Sequence, residues 1–267
     1  MPLKSLFAYS FQSFYLAGSF LLLFIFLPSF YNLSVGFALS TIGMIILISR
    51  VFDVFSDFFI GYFTEKRFIK GLPKKNQILL GIFIFIFSTI GLYVIQPDNH
   101  YWFIFYYNLA LISYSIAIIP YDSIVIDQKK IQHRRFYIAA TKEIFTILGV
   151  LAALIIPTAL SKILSVNLLN QEVIKITGLI IIILAIIGSI FFYLFFEEDN
   201  QFHSNFISFN ELKIYFHQNK KILPFAVITF LNLLANNFTA NLFIIFVSTY
   251  LGLVNYAGPL LILYFLI

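Results

Sequence analysis

The sequence contains no cysteine, so disulfide bonds and thiolate metal sites are excluded at the outset. Charge is also scarce: 11% of the 267 residues are charged, against about a quarter in a typical soluble domain. Apolar residues dominate instead, with 61% hydrophobic residues and a mean hydropathy of +0.94. Water therefore cannot be the solvent for most of the surface, and the composition predicts a protein that lies in a lipid bilayer.

Long apolar runs recur along the chain, and each is long enough to cross a bilayer core of about 20 residues. Backbone polar groups in lipid must be satisfied within each run, which only a helix achieves. Strands of about 10 residues with alternating polarity, as a membrane barrel requires, are not visible. The fold class is therefore all-α membrane protein. The predicted spans are approximately Ala8–Tyr31, Phe37–Phe63, Gln77–Ile95, Tyr101–Ile126, Thr141–Leu164, Ile174–Phe196 and Ile222–Tyr250, with an eighth beginning near Ala257.

The basic residues form short clusters between the apolar runs, with no continuous stripe that would indicate a nucleic-acid partner. Such clusters are typical of contacts with lipid headgroups at the cytoplasmic face. Most of the 17 basic residues fall on one side if the N-terminus is inside, and only Lys162 and Lys175 lie in the outer loops. The positive-inside rule therefore predicts a cytoplasmic N-terminus. The predicted inner segments hold Lys4, Lys66, Arg67, Lys70, Lys74, Lys75, Lys129, Lys130, Arg134, Arg135, Lys213, Lys220 and Lys221.

The polar stretch Glu197–Lys221 is the longest connection between spans. Six spans, a long cytoplasmic loop and then further spans are the layout of a transporter built from two six-helix halves. The predicted organisation is a six-helix bundle over residues 1–196, an inter-half loop over 197–221, and the truncated start of a second bundle over 222–267.

The second span carries charges in the middle of an apolar run. At 100° per residue, Asp53 lies 60° from Arg50 and Asp57 lies 20° from it, and Gly43 and Gly61 project onto the same side. Each charge costs about 2.5–3.5 kcal/mol at the centre of a bilayer. This face must therefore point into the helix bundle or a water-filled cavity, with Arg50 paired to at least one carboxylate.

Two interpretations of these charges are open. In the functional one, Asp53 and Asp57, with Ser56 beside them, bind Na⁺, or one carboxylate carries a proton. In the structural one, an internal salt bridge fastens helices together. Arg50 and one aspartate satisfy the structural interpretation, but the second aspartate leaves a negative charge that a coupling cation would neutralise. The sequence therefore favours a cation-binding site with Arg50 as its charge partner.

Further candidates concern the substrate. Tyr114 and Asp122 lie near Pro120, which bends span four and frees backbone to line a cavity. Asp122 is either a substrate hydrogen-bond acceptor or a residue at headgroup level. Lys142 lies near the inner end of span five, where extension to the headgroups is the alternative to a functional role. Asn236 belongs to a polar run in span seven that either faces a cavity or bonds neighbouring helices. The histidines lack ligand spacing, and no cofactor is expected.

Several motifs stand in a recognisable order. They are Leu27-Pro28-Ser-Phe30-Tyr31, Arg50-x-x-Asp53-x-x-x-Asp57-x-x-x-Gly61, the basic loop from Glu65-Lys66-Arg67 to Lys74-Lys75, and Ile119-Pro120-Tyr121 followed by Asp127 and Arg135. Together they resemble the glycoside–pentoside–hexuronide:cation symporters, the melibiose-carrier-like branch of the major facilitator superfamily. The resemblance implies a major-facilitator-like bundle with a complete N-terminal six-helix half, helix 7 and the start of helix 8.

The resemblance also implies alternating access, with the coupling cation on the carboxylates at Asp53 and Asp57 and sugar near the midplane. Lys142 falls where the family has a basic residue in helix five. The departures are a first span without a carboxylate, Ile118 in place of an acid, and Phe58 in place of a proline. The galactoside site is therefore not carried over. Relatives that move lysolipids make a lysolipid or another small solute the alternative substrate.

Taken together, these features predict a cation-coupled transporter, not an enzyme, that moves a sugar or glycoside with Na⁺ or H⁺ across the cell (inner) membrane. The alternative is a non-transporting fragment or one piece of a split carrier, because the last apolar run stops at Ile267. In that case a separately encoded C-terminal half is the expected partner.

Overall fold

The computed structural model describes residues 3–69, 73–127 and 132–196, and shorter stretches at 219, 223–224, 227–229, 231–232, 242–243, 245–253, 256, 259–260 and 263. The side chains at 67–69, 126–127 and 132–135 lie outside this description, and with them Arg67, Asp127, Arg134 and Arg135. None of the described residues lies in a strand. Within the described residues, six helices are long and apolar enough to cross a membrane, so the predicted all-α membrane fold is confirmed. They are α1 (Leu3–Leu33), α2 (Leu39–Ile69), α3 (Lys74–Ile95), α4 (His100–Asp127), α5 (Gln132–Ile163) and α6 (Gln171–Phe195).

The helices follow the predicted apolar runs, with one clear difference in α5. This helix begins at Gln132, well before the apolar run that starts at Thr141. A helix that is already nucleated extends by one hydrogen bond per residue, so the preceding polar residues continue it outside the apolar zone. Lys142 consequently lies inside a long helix, whereas the apolar run alone places it near the start of a span.

The helix α1 forms the centre of the bundle. In its most apolar window 83% of the residues are buried, against 17% in α2. It crosses α5 closely at Gly149, where an added Cβ would overlap the carbonyl oxygen of Phe14. In the same way, a Cβ on Gly81 of α3 would lie 2.6 Å from the backbone nitrogen of Ala117 in α4. Small residues at crossings let membrane helices approach backbone to backbone, and these two fix the α1–α5 and α3–α4 pairs.

The helix α2 lies at the edge of the six-helix group. Most of its apolar side chains are exposed, and its buried residues are few, among them Ile42, Ser49 and Thr64. A Cβ added at Gly43 or Gly61 would meet no atom within 4 Å. The buried residues fall on one stripe of the helix, and this stripe faces α4.

The predicted seventh span is only partly described. Residues 223–224, 227–229, 231–232, 242–243 and 245 are helical, and Phe246–Tyr250 forms a π-helical turn. Val247 in this turn is buried in the same apolar cluster as Tyr31, Phe37 and Phe103. Apart from Asn219, the predicted loop 197–221 lies outside the described residues, as does Asn236.

Candidate functional site

The charged residues of α2 lie on its buried stripe or at its border. In helical projection Asp53 falls within about 40° of Ile42, Ser49 and Thr64, near the middle of the stripe. Arg50 and Asp57 lie on its flank. The side chain of Asp53 is 15% exposed and that of Arg50 is 34% exposed.

Arg50 is held by one carboxylate and one aromatic ring. Its Nη1 lies 3.3 Å from Oδ2 of Asp53, three residues further along α2. Its guanidinium carbon lies 3.8 Å from the ring centroid of Phe24, which is buried in the π-helical turn Leu22–Phe26 of α1. A guanidinium over an aromatic face gains about 0.5–2 kcal/mol, more when water is excluded. The positive charge is thereby fixed between α1 and Asp53.

Asp53 is also linked to α4. The hydroxyl of Ser115 donates a long hydrogen bond of 3.5 Å to Oδ1 of Asp53. Ser56 donates to the backbone carbonyl of Asp53 at 2.9 Å, so its hydroxyl stays close to the backbone of α2. Asp53 thus connects α2 to α4 and, through Arg50, to α1.

Asp57 has a different environment from Asp53. Its Oδ1 is buried and has no hydrogen-bond partner among the described residues. It lies one turn, or about 6 Å along the axis, from Asp53. A buried acceptor without a partner costs about 1–3 kcal/mol, and more when it carries a charge. This carboxylate is therefore the uncompensated group of the charged stripe.

The structure brings Asp122 and Lys142 together. The Nζ of Lys142 on α5 lies 2.6 Å from Oδ1 of Asp122 on α4. The two predicted alternatives for Lys142, extension to the headgroups and a functional role, stay predictions, because an ion pair forms at headgroup level as well as deeper in a bundle. The ammonium of Lys142 also lies 5.5 Å from the ring centroid of Tyr121. Two of the four predicted substrate residues, Asp122 and Lys142, therefore belong to one ion pair.

Tyr114 does not join these charged groups. Its ring packs between Phe20 of α1, at 4.8 Å between centroids, and Phe85 of α3, at 6.2 Å. The next residue, Ser115, is the one that reaches Asp53. Consecutive residues of a helix point about 100° apart, so a site residue can be missed by a single position. Phe24 and Ser115 are the contacts that sequence reasoning missed, because only the packing of α1 and α4 against α2 reveals them.

A second cluster of polar side chains lies at the predicted inner ends of the helices. Lys74 is almost fully buried, and its Nζ donates to Oε1 of Glu65 at 3.1 Å and to Oγ of Ser123 at 2.8 Å. Lys75 donates to the carbonyls of Tyr193 and Phe196 at the end of α6. A lysine at a helix C-terminus neutralises the exposed carbonyl dipoles. The end of the bundle that holds Lys66, Lys74 and Lys75 is termed the basic end below.

The part of the chain that the structure describes holds six membrane-length helices with buried charges between them, which defines a multi-pass helical membrane protein. In this architecture, embedded charges mark ion and substrate pathways. Residues 8–267 match the family model described as MFS/sugar transport protein, and the chain belongs to that family. The superfamily expected from the motifs is thereby confirmed, and the protein is a transporter by its family. A search of curated proteins gave no significant match.

Proposed function

We propose that this transporter is a cation-coupled symporter, in which Asp57, Asp53 and Ser56 bind Na⁺ or H⁺. The observation that supports it best is the unequal environment of the two carboxylates. Arg50 neutralises Asp53 at 3.3 Å, whereas Asp57 keeps a buried oxygen without a donor. Arg50, Asp53 and Asp57 together carry one net negative charge, and a bound monovalent cation brings these three side chains to neutrality.

Neutralisation supplies a physical link between cation binding and movement. An unpaired charge is costly in a dry interface, because its desolvation is not repaid by a partner. Asp57 lies on the flank of the stripe that faces α4, next to the open side of α2. With the cation bound, this surface can close without a buried net charge. The cation therefore lowers the free energy of the conformations through which an alternating-access carrier passes.

Both cations remain in the proposal. Among the described residues no group of three or more His, Asp or Glu side chains could hold a metal ion. Na⁺ at this site would accordingly combine two carboxylates with neutral oxygens such as Oγ of Ser56, and hard cations accept such mixed oxygen ligands. H⁺ requires only the Asp57 carboxylate.

The substrate we propose is a sugar or glycoside. The family description, MFS/sugar transport protein, and the resemblance to the glycoside–pentoside–hexuronide:cation symporters support this choice. A lysolipid or another small solute is the alternative. We also propose that the protein lies in the cell (inner) membrane with its N-terminus and basic end on the cytoplasmic side, since the positive-inside rule supports that orientation.

The test is uptake by proteoliposomes that contain the purified chain. A panel of radiolabelled mono- and disaccharides, and one lysolipid, is offered under an imposed Na⁺ gradient and, separately, an H⁺ gradient. We expect uptake of at least one sugar with one of the gradients and its loss in Asp57→Asn. The matched control is Asp98→Asn, because Asp98 is an exposed carboxylate in the loop between α3 and α4. Gradient-driven uptake that survives in Asp57→Asn would contradict the assignment.

The alternative function, a non-transporting fragment or one piece of a split carrier, is favoured by the open face of α2. That face exposes Gly43 and Gly61, where a close helix partner would pack. In the proteoliposome assay, this alternative predicts no uptake by the chain alone and uptake when a second half is supplied in trans. Robust uptake by the chain alone rules it out.

A further inference from the structure

A second charged position on α4 lies in line with the carboxylate site. Asp122 follows Ser115 by seven residues, which in an unbent helix places the two side chains within about 20° of each other. Pro120 lies between them, and Ser115 contacts Asp53, so Asp122 lies about two turns from that contact on a similar side of α4. Seven residues of helix advance about 10 Å. Asp57 is displaced from Asp53 in the same direction, which is towards the basic end.

Lys142 lies where the helices α1, α4 and α5 meet beside Asp122. Its Nζ lies 2.6 Å from Oδ1 of Asp122 on α4, and its backbone carbonyl, on α5, accepts a 2.9 Å hydrogen bond from Ser13 on α1. Both charged residues belong to candidate membrane spans. The ion pair thus bridges α4 and α5 at the point where Ser13 fixes α5 to α1.

The exposure of the pair is unequal. The side chain of Asp122 is 51% exposed, and that of Lys142 is 18% exposed. Asp122 lies three residues before the end of its apolar span at Val125, so its exposed carboxylate borders headgroups, water or another polar surface. Polar side chains thus lie along α2 and α4 in the direction of the basic end, at Asp53, Asp57, Ser115 and Asp122.

We propose that these polar side chains line a route for the coupling cation, and that the Asp122–Lys142 ion pair closes this route at the basic end and separates before the cation leaves. The proposal rests on the cation coupling proposed above. The ammonium of Lys142 occupies the carboxylate of Asp122, so a departing Na⁺ or H⁺ meets a positive charge and a neutralised acceptor. When Lys142 moves away, Asp122 becomes an acceptor for the cation and the barrier is removed.

The absence of cysteine makes a direct test available, because every introduced thiol is unique. Ile119→Cys places a thiol one turn from Asp122 on the side of Ser115. Its reaction with a membrane-impermeant methanethiosulfonate is followed in vesicles of both orientations. The exposed Lys66→Cys identifies the basic end by its fast reaction. Cationic and anionic reagents are used in parallel, so that a change of local potential is distinguished from a change of access.

We expect Ile119→Cys to react slowly from the basic end, and about tenfold faster when Asp122→Asn or Lys142→Met is added, as the loss of one contacting pair allows. The exchanged pair, Asp122→Lys with Lys142→Asp, should restore slow reaction. The control Glu172→Gln removes an exposed carboxylate at the opposite end of the bundle and should leave the rate unchanged.

Three results would overturn the proposal. One is an unchanged rate in both neutralised variants. Another is fast reaction in the exchanged pair, which would assign the effect to packing. The third is new reactivity of Ser113→Cys, a fully buried position on α4, because it would show that the bundle had loosened. The assay requires neither substrate nor gradient. If the barrier is found but Asp57→Asn retains driven uptake, the cation coupling fails together with the proposed role of the pair in cation release, whereas closure of the basic end by the ion pair stands.

Discussion

The hydroxyl of Tyr9 donates a 2.9 Å hydrogen bond to the backbone carbonyl of Tyr121, and the hydroxyl of Tyr121 donates a 2.8 Å bond to the carbonyl of Tyr9. The two rings stack with centroids 4.3 Å apart, and both side chains are fully buried. This reciprocal pair joins α1 to α4 next to the ammonium of Lys142. Both buried hydroxyls thereby have hydrogen-bond partners. The contact between α1 and α4 is held by these two bonds and lies beside the ion pair of Lys142 and Asp122.

Removal of either tyrosine hydroxyl should weaken the contact between α1 and α4. We expect Tyr9→Phe and Tyr121→Phe each to lower the free energy of unfolding by about 0.5–1.5 kcal/mol, the net contribution of one hydrogen bond. Unfolding of the purified protein by SDS titration measures the change. Tyr101→Phe is the control, because Tyr101 is 81% exposed at the opposite end of α4. Equal stabilities of all four proteins would contradict a bonded pair.

The sequence was sufficient to predict that Arg50, Asp53 and Asp57 share one side of α2, because that depends only on the helical period. The angular projection alone does not identify the carboxylate that binds Arg50, because Asp57 is nearer to Arg50 in angle. The rise along the helix does, since Asp53 lies three residues or about 4.5 Å away and Asp57 seven residues or about 10 Å away, and the bond forms with Asp53. The added contacts of Phe24 and Ser115 come from α1 and α4 and were not predictable from this helix.

The number and approximate limits of the first six helices were predictable for a related reason. A long apolar run in lipid must satisfy its backbone hydrogen bonds internally, which it does as a helix, and the six described helices follow those runs. Contacts between helices depend on rotation about each axis, which the apolar pattern of α4 does not fix. This explains why Tyr114 was selected although its neighbour Ser115 touches Asp53. The site assignments at Asp53, Asp57 and Ser56 stay predictions.

The close crossing of α1 and α5 gives a prediction with an internal control. Gly149→Ala forces a methyl group into the carbonyl of Phe14, and we expect a loss of about 1–3 kcal/mol, the usual cost of overpacking. Gly43→Ala adds the same group where no atom lies within 4 Å, and should be neutral or slightly stabilising through helix propensity. The two variants are compared by SDS titration. Equal losses in both would contradict the crossing.

The buried Lys74 should be more important for stability than other lysines of the chain. Lys74→Met leaves Glu65 and Ser123 without this donor, and we expect a loss of about 1–3 kcal/mol, since Glu65 is itself half exposed. Lys175→Met is the control, because Lys175 is exposed on α6. Thermal unfolding in detergent compares the two. A smaller effect at Lys74 than at Lys175 would show that its bonds add no stability.

The pairing of Arg50 with Asp53, and not with Asp57, predicts a specific pattern in a double-mutant cycle. Arg50→Gln leaves both carboxylates uncompensated, and we expect a loss of about 1–3 kcal/mol, between the values for exposed and buried pairs. Adding Asp53→Asn should recover much of this loss, because the pair is then removed as a unit. Thermal unfolding in detergent measures each variant.

The same double variant separates the charge pair from the cation site. It retains Asp57, whose buried oxygen has no partner, but lacks the proposed ligand Asp53, so its unfolding temperature should still rise with added Na⁺, at higher Na⁺ concentrations than the wild type requires. Asp57→Asn should lose this response although it retains the bond between Arg50 and Asp53. If the double variant lost the cation response and Asp57→Asn kept it, Asp53 would be the principal ligand, and the uncompensated oxygen of Asp57 would have no part in binding the cation.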